Sequence, residues 1–382
     1  MRNSWKSVFA TLEPPQRIQR TRMAVLVNGT ASSAAGLRAQ ALLGHLGPEF
    51  QVRFFHRLAP RPVGAFLFLV RLWIFRPKIC YLMDLGVTGV IAMWCYRRFY
   101  PLNAIVDMGD AISDLTAFLG RWRPVCWITQ WMERVTFQAA ELVIVRSVFH
   151  QRLLQDRGIQ RVEVIPDGVN TQYFKPTNVE ALRAHLGLEG VVTVGLQGNF
   201  SWNRRLQWGL GHELLEVLLR LKGLPVKGVL VGDGPGLKRL RQRARALGIE
   251  QNIHWAGHMP YQVLPTVLNL IDVCLITQTN ELTSWVRTTG KLPCYMACGR
   301  YILASRVGTP SLLLPDEMLL DYEGPFDRLY PERLAERIRR MLDDKGRLKR
   351  GSVLVPIAQE HFDYSHLAQR VGQMLTHLES AK

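Results

Sequence analysis

Short apolar, β-branched runs alternate with longer stretches of helical periodicity along most of the chain, the pattern of an α/β protein with largely parallel strands. Strands are predicted at Met23–Val27, Gln51–Phe55, Ile79–Met83, Ala104–Val106, Leu142–Val145 and Val162–Ile165. Helices are predicted at Ala31–Leu46 and Gly86–Tyr100. A second series of strands runs through Val191–Leu196, Val226–Val231, Ile253–Ala256, Val273–Thr277 and Tyr301–Ala304. Its helices are Leu214–Leu221, Leu237–Leu247, Leu264–Ile271 and Leu292–Cys298. The polar stretch Asp167–Leu188, with Gly168 and Pro176, separates the two series and reads as a linker. The pattern predicts two Rossmann-like domains, 1–175 and 176–355, with one last helix over Pro356–Leu378. Open parallel sheets bind ligands beyond the carboxyl ends of their strands, so a cleft between the domains is the expected site.

Composition narrows this little. A chain of 382 residues with 48% hydrophobic and 21% charged residues suits about two globular domains. Its six cysteines are scattered without a CxxC pair, which fits a reducing compartment and gives no zinc site. Residues 1–22 lack the apolar core of a secretory signal, and Val63–Phe75 is interrupted by Arg71 and too short to span a bilayer. The net charge of +17 asks for an anionic partner or serves solubility alone. No interleaving of basic and aromatic residues speaks for nucleic acid. Arg53, Arg57, Arg61, Arg71, Arg76, Lys78, Arg97 and Arg98 surround apolar stretches, a mixture that suits an anionic lipid surface. Ala65–Phe75 could equally pack as a core helix.

Several segments carry chemistry. VRTTGKLP (Val286–Pro293) sets two threonines, Gly290 and Lys291 at a helix start, a combination suited to a diphosphate. NFSWNRRLQW (Asn199–Trp208) places Arg204 and Arg205 on a strand-to-helix loop. GDGPGLKRL (Gly232–Leu240) either lines a nucleotide or is a structural turn. NGTASSAAGLRAQ (Asn28–Gln40), with Gly29 and Gly36, follows the first strand without GxGxxG spacing. It admits a ligand against the backbone or is an ordinary loop. IVDMGDAISD (Ile105–Asp114) presents Asp107, Asp110 and Asp114 either to a substrate or, with Ser113 or Asp114, as a helix cap.

VIPDGVNTQYFKP (Val164–Pro176) resembles the inter-domain hinge of retaining GT-B glycosyltransferases of the family-4 type. GDGP, NIHWAGHMP (Asn252–Pro260), IDVCLITQT (Ile271–Thr279) and GKLPCYMACGRYILAS (Gly290–Ser305) follow in that family's order. The resemblance covers roughly residues 160–310. It implies the GT-B fold, two Rossmann-like domains facing each other across a cleft, with the last helix (356–382) rejoining the first domain. It also implies transfer of a sugar from a nucleoside-diphosphate donor to an acceptor hydroxyl, configuration retained, with no metal and no other cofactor. By position it puts Arg204 (or Arg205), Lys291, Thr289 and Gly290 on the donor phosphates. His258, Met259, Asp233 and Cys294 fall at the nucleotide base and ribose, and Asp110, matching the acidic residue of the family's HD-type motif, faces the sugar as the catalytic residue. Gly29 and Gly36 belong to the acceptor side. The sequence departs from the family at Val286 and Cys294, where its E-x7-E glutamates are absent, and at Gly109, where its histidine is replaced. The missing glutamates keep open a binding-only protein, and an epimerase on the same scaffold would share the phosphate site. The expected acceptor is a lipid or glycoconjugate, met in the cytoplasm at the inner membrane face.

Overall fold

The computed structural model describes residues 20–57, 59–203 and 208–380. The chain forms two compact units, the first ending at Ile105 and the second beginning at Val106.

In the first unit β1 (Thr21–Val27) leads through α1 (Ala34–Leu43) to β2 (Phe50–His56). Then follow α2 (Arg61–Phe75), β3 (Ile79–Met83), α3 (Val87–Arg97) and β4 (Asn103–Met108). The strands lie in the order β2-β1-β3-β4, and both neighbours of β1 run parallel to it, Met23 opposite Val52 on one side and Ile79 on the other. Every residue of β3 is buried, as in a sheet covered on both faces. Helix α2 buries Gly64, Phe68, Leu72 and Phe75 at helical spacing but leaves Val63, Phe66, Trp73 and Ile74 exposed. The stretch is therefore a core helix on one face and an apolar surface on the other.

Strand β4 carries the chain into the second unit. There α4 (Ile112–Phe118), α5 (Arg123–Ala139), β5 (Leu142–Val145), α6 (Val148–Asp156) and β6 (Val162–Val164) complete the order β4-β5-β6. Neither Ser113 nor Asp114 caps α4, which starts at Ile112. Both lie in its first turn, and Asp114 instead forms a two-pronged ion pair with Arg157, at 2.9 Å on each prong. Helix α5 has no counterpart in the predicted elements.

After α7 (Glu180–His185) comes β7 (Val192–Gln197), then the short antiparallel pair β8 (Trp202–Asn203) and β9 (Trp208–Gly209). Next are α8 (His212–Arg220), β10 (Val226–Val231), α9 (Leu237–Ala246), β11 (Ile253–Gly257), α10 (Leu264–Asn269) and β12 (Val273–Ile276). The series continues with α11 (Leu282–Trp285), α12 (Lys291–Ala297), β13 (Tyr301–Ser305), α13 (Pro310–Leu313), β14 (Leu319–Leu320) and α14 (Tyr330–Asp343). The second sheet is parallel, in the order β11-β10-β7-β12-β13-β14.

The predicted final helix is two, α15 (Leu354–Phe362) and α16 (Tyr364–Ser380). Asp363 breaks it: the residue is extended, and its carboxylate accepts from the Ser365 N–H (2.8 Å) and the Thr171 N–H (3.1 Å). A helical continuation would forfeit both bonds. From there α16 reaches β6, where Arg370 donates to the Val164 carbonyl at 3.1 Å.

Candidate active site

The segment 286–291 is held by the end of β5. The Ser147 hydroxyl donates to the Val286 carbonyl at 2.5 Å, and the buried Thr288 hydroxyl donates to the Arg146 carbonyl at 2.8 Å. These bonds fix where α12 begins and commit Thr288 to structure. The Lys291 N–H donates to the Thr289 hydroxyl at 3.3 Å. The Lys291 side chain is half-buried and lies against Gly198 at the end of β7: a Cβ there would stand 3.2 Å from its Cε and 3.4 Å from its Nζ. A larger residue than glycine would crowd the amine.

Burial pushes Lys291 down to about 8; the nearby Arg287 charge adds to this, and Glu213 opposes it. Glu213, buried near the start of α8, is pushed up to about 7 by burial, against the Trp208 indole N–H it accepts at 3.2 Å and the charge of Lys291. A buried acid and a half-buried amine thus hold each other's charge in a place that penalises both.

Arg287 ties this pair to the strand ends of the first sheet, its Nε lying 3.1 Å from Asp110 Oδ1. Exposed pairs of this kind contribute under about 1 kcal/mol, so a ligand could displace it at little cost. Beside Asp110, a Cβ on Gly109 would fall 2.5 Å from Arg146 Nη1 and 2.6 Å from its Cζ. The Arg146 guanidinium, 3.4 Å from Asp167, thus occupies the space a side chain at 109 would need. Three cations, Arg146, Arg287 and Lys291, gather at these strand ends, and two of them repel. Such a place favours an anion.

A second cluster is built from glycines. Gly232 has φ of 127°, and a Cβ on it would stand 2.0 Å from the Gly198 carbonyl oxygen. Its N–H donates to the Gly257 carbonyl at 2.7 Å, and the Phe200 N–H donates to the Asp233 carbonyl at 2.8 Å. The loops after β7, β10 and β11 are thereby packed together. Within them the Asp233 carboxylate accepts the Gly234 N–H at 2.7 Å, the bond of a turn. His258 is exposed and Met259 packs on the core.

Cys294 lies buried in α12, its thiol raised well above the usual range by burial and bonded to the Gln197 side chain. Gly290 is exposed at the helix start. Gly29 and Gly36 belong to the first unit, where Gly36 lies against the Thr30 carbonyl and Gly29 against Ser33, the cap of α1. Arg204 and Arg205 lie outside the described residues.

Of the predicted residues, Thr289 and Gly290 adjoin Lys291, Arg287 pairs with Asp110 while its charge repels that of Lys291, and Asp233 belongs to the glycine cluster. Arg287, Arg146 and Glu213 escape a reading of the sequence. Arg287 stands inside the motif that holds Lys291, but its partner is far away in the chain. Among the described residues no group of three or more His, Cys, Asp or Glu could hold a metal ion.

Residues 192–344 match the family described as glycosyl transferases group 1. They include Glu213, Arg287 and Lys291, whereas Asp110 and Arg146 lie outside. A 2-deoxystreptamine glucosyltransferase of Streptomyces kanamyceticus is 25% identical over 279 residues, 68% of this chain and 62% of that protein. A D-inositol 3-phosphate glycosyltransferase of Nocardia farcinica is 24% identical over 276 residues, 70% of this chain and 56% of that one. The chain thus spans less than two thirds of the length of these curated relatives.

Among solved structures, Anabaena Alr3699/HepE in complex with UDP-glucose superposes with a TM-score of 0.73 at 18% identity, covering 94% of this chain and all of that one. Sucrose-phosphate synthase from Thermosynechococcus elongatus gives 0.74 at 17% identity, over 95% of this chain and all of that one. The fold is GT-B, with two parallel-sheet Rossmann-like domains, and the segment bearing the second sheet is similar to the glycosyl transferases group 1 family.

Proposed function

We propose that this protein transfers a sugar from a nucleoside diphosphate to an acceptor hydroxyl with retention of configuration. The observation that carries the reading is the mutual repulsion of Arg287 and Lys291 beside the Gly198 turn, which a diphosphate relieves. A matched family segment and relatives named as glycosyltransferases support it.

In this reading the donor's phosphates lie on Lys291, with Thr289 and Gly290 beside them, and draw Arg287 away from Asp110. The C1–O bond to the phosphate breaks as the acceptor oxygen bonds C1 from the same face, and the hydroxyl proton passes to the departing phosphate. Charge grows on that phosphate in the transition state, where fixed cations stabilise it more than in the ground state. Asp110, freed of its partner, orients the sugar hydroxyls. Arg146, filling the space above Gly109, supplies a cation where the resemblance places a histidine. His258, Met259 and Asp233 frame the nucleotide, and Cys294 leaves ribose recognition to other groups. No metal and no other cofactor is required in this scheme. The acceptor is a lipid or glycoconjugate presented at the cytoplasmic face of an anionic membrane, to which the net charge of +17 is suited.

The test is donor turnover by Lys291→Ala. Titration with UDP- and GDP-sugars identifies the nucleotide, and transfer is followed by nucleotide release with and without added acceptors. Removing one such cation costs about 3 kcal/mol, on the order of 100-fold in rate. Wild-type turnover in the variant sinks the phosphate assignment. Donor binding without turnover in the wild type identifies a binding protein, and donor isomerisation without acceptor an epimerase.

A further inference from the structure

We propose that helix α5 docks the protein onto an anionic lipid interface through its outer face. Packed against α4, it buries Met132, Glu133, Thr136 and Phe137 on its inner side. The opposite side of a surface helix is ordinarily polar. Here it carries Trp127, Ile128 and Trp131, which are 67%, 53% and 49% exposed, with Trp122 at the helix start 76% exposed. At about 100° per residue, Trp127, Ile128 and Trp131 form one stripe with Pro124 and Val135, pointing away from the buried set. Phe118 and Leu119, at the end of α4, extend the apolar surface toward the turn that joins the two helices.

Charge selects the occupant. Between Ile112 and Ala139 the sequence has two carboxylates, and neither is presented to solvent unpaired: Asp114 is held by Arg157, and Glu133 is buried. Arg121, Arg123 and Arg134 in contrast are exposed at the margin of the tryptophans. An apolar centre rich in tryptophan with a purely cationic rim matches the bilayer interface, where indoles lie at headgroup level and arginines meet anionic lipid. A second copy of the chain would bring a second set of three arginines to the same patch with no carboxylate to receive them. No helix among the described residues is long and apolar enough to cross a membrane, so the contact is one of lying on the surface.

The inference names a surface for the membrane association proposed above and is measured without donor or acceptor, so it stands apart from sugar transfer. Co-sedimentation with mixed phosphatidylglycerol–phosphatidylcholine vesicles is compared with pure phosphatidylcholine for the full chain, for Trp127→Ser/Ile128→Ser/Trp131→Ser, and for Arg121→Gln/Arg123→Gln. Phe66→Ser/Ile74→Ser on α2 serves as the counterpart. The wild type should bind the anionic vesicles and bind the neutral ones more weakly. The triple variant should lose affinity at least about tenfold, and the arginine pair should lose the preference for anionic lipid. All three serine positions are exposed, so circular dichroism should stay unchanged. Equal binding by the triple variant, with loss in the α2 variant, assigns the contact to α2 and overturns this proposal while leaving a membrane contact in place. No binding by the wild type overturns both. A wild-type dimer in light scattering that the triple variant dissolves gives the face to a second copy and likewise overturns it.

Discussion

A single lysine concentrates the chemistry of this site. Lys291 sits at about 8, so at pH 7 it is mostly charged and at pH 9 mostly neutral. If a diphosphate needs the charged amine, affinity is steady below pH 8 and falls by about tenfold per unit above it. Arg287 contributes to the depression by repulsion. Arg287→Gln should therefore weaken donor binding at pH 7 while moving the midpoint of the profile upward from about 8. Calorimetry of UDP binding from pH 6.5 to 9.5, on the order of three units around that midpoint, reads both effects, and an unmoved midpoint rejects the coupling. Lys291, Thr289 and Gly290 could be proposed from one local motif and Asp110 from a resemblance, both of which the sequence carries. Arg146 and Glu213 could not. Arg146 matters because its guanidinium stands over Gly109, and Glu213 because folding buries it beside Trp208 and within reach of Lys291. Both depend on residues brought together only by the sheets.

At the scale of elements, the strands were legible because parallel strands covered on both faces are continuous apolar runs, as in β5, LVIV, or the fully buried β3. Helix α5 was not legible for the opposite reason: with tryptophans outside and methionine and phenylalanine inside, its apolar residues mark no single face. The break between α15 and α16 was hidden too, since the bonds that favour an extended Asp363 come in part from Thr171, far away in the chain, beside the local one from Ser365. The GDGP turn could be read as nucleotide site or structural device, and its geometry shows a structural demand whichever ligand it meets. Gly232 combines a positive φ with a backbone oxygen 2.0 Å from where a Cβ would stand. Gly232→Ala should cost about 2–4 kcal/mol, from strain plus displacement of the β7 loop. Gly190 has φ of 69° but open space around it, so Gly190→Ala should cost only about 1 kcal/mol. Urea denaturation of the two variants checks this, and equal losses would show that close approach contributes nothing.

At the scale of the molecule, stability and ligand affinity pull in opposite directions through Glu213. Its carboxyl is raised from 4.5 to about 7 in the folded state, so between those values the folded protein holds the proton more strongly than the unfolded chain. Stability therefore falls as pH rises from about 4.5 through 7, and the full penalty persists above it. A glutamine in its place carries no such penalty and still accepts from the Trp208 indole. Glu213→Gln should match the wild type near pH 4.5 and exceed it by about 1–3 kcal/mol at pH 8, measured by urea denaturation. The same substitution removes the Glu213 charge that supports Lys291, so the amine should titrate below 8 and donor affinity at pH 8 should drop. A variant both more stable and weaker in binding is the signature of a buried acid kept for its charge. If Glu213→Gln is instead less stable at pH 8, the carboxylate is held by partners that outweigh its burial. The coupling to Lys291 then cannot be what sets the donor site.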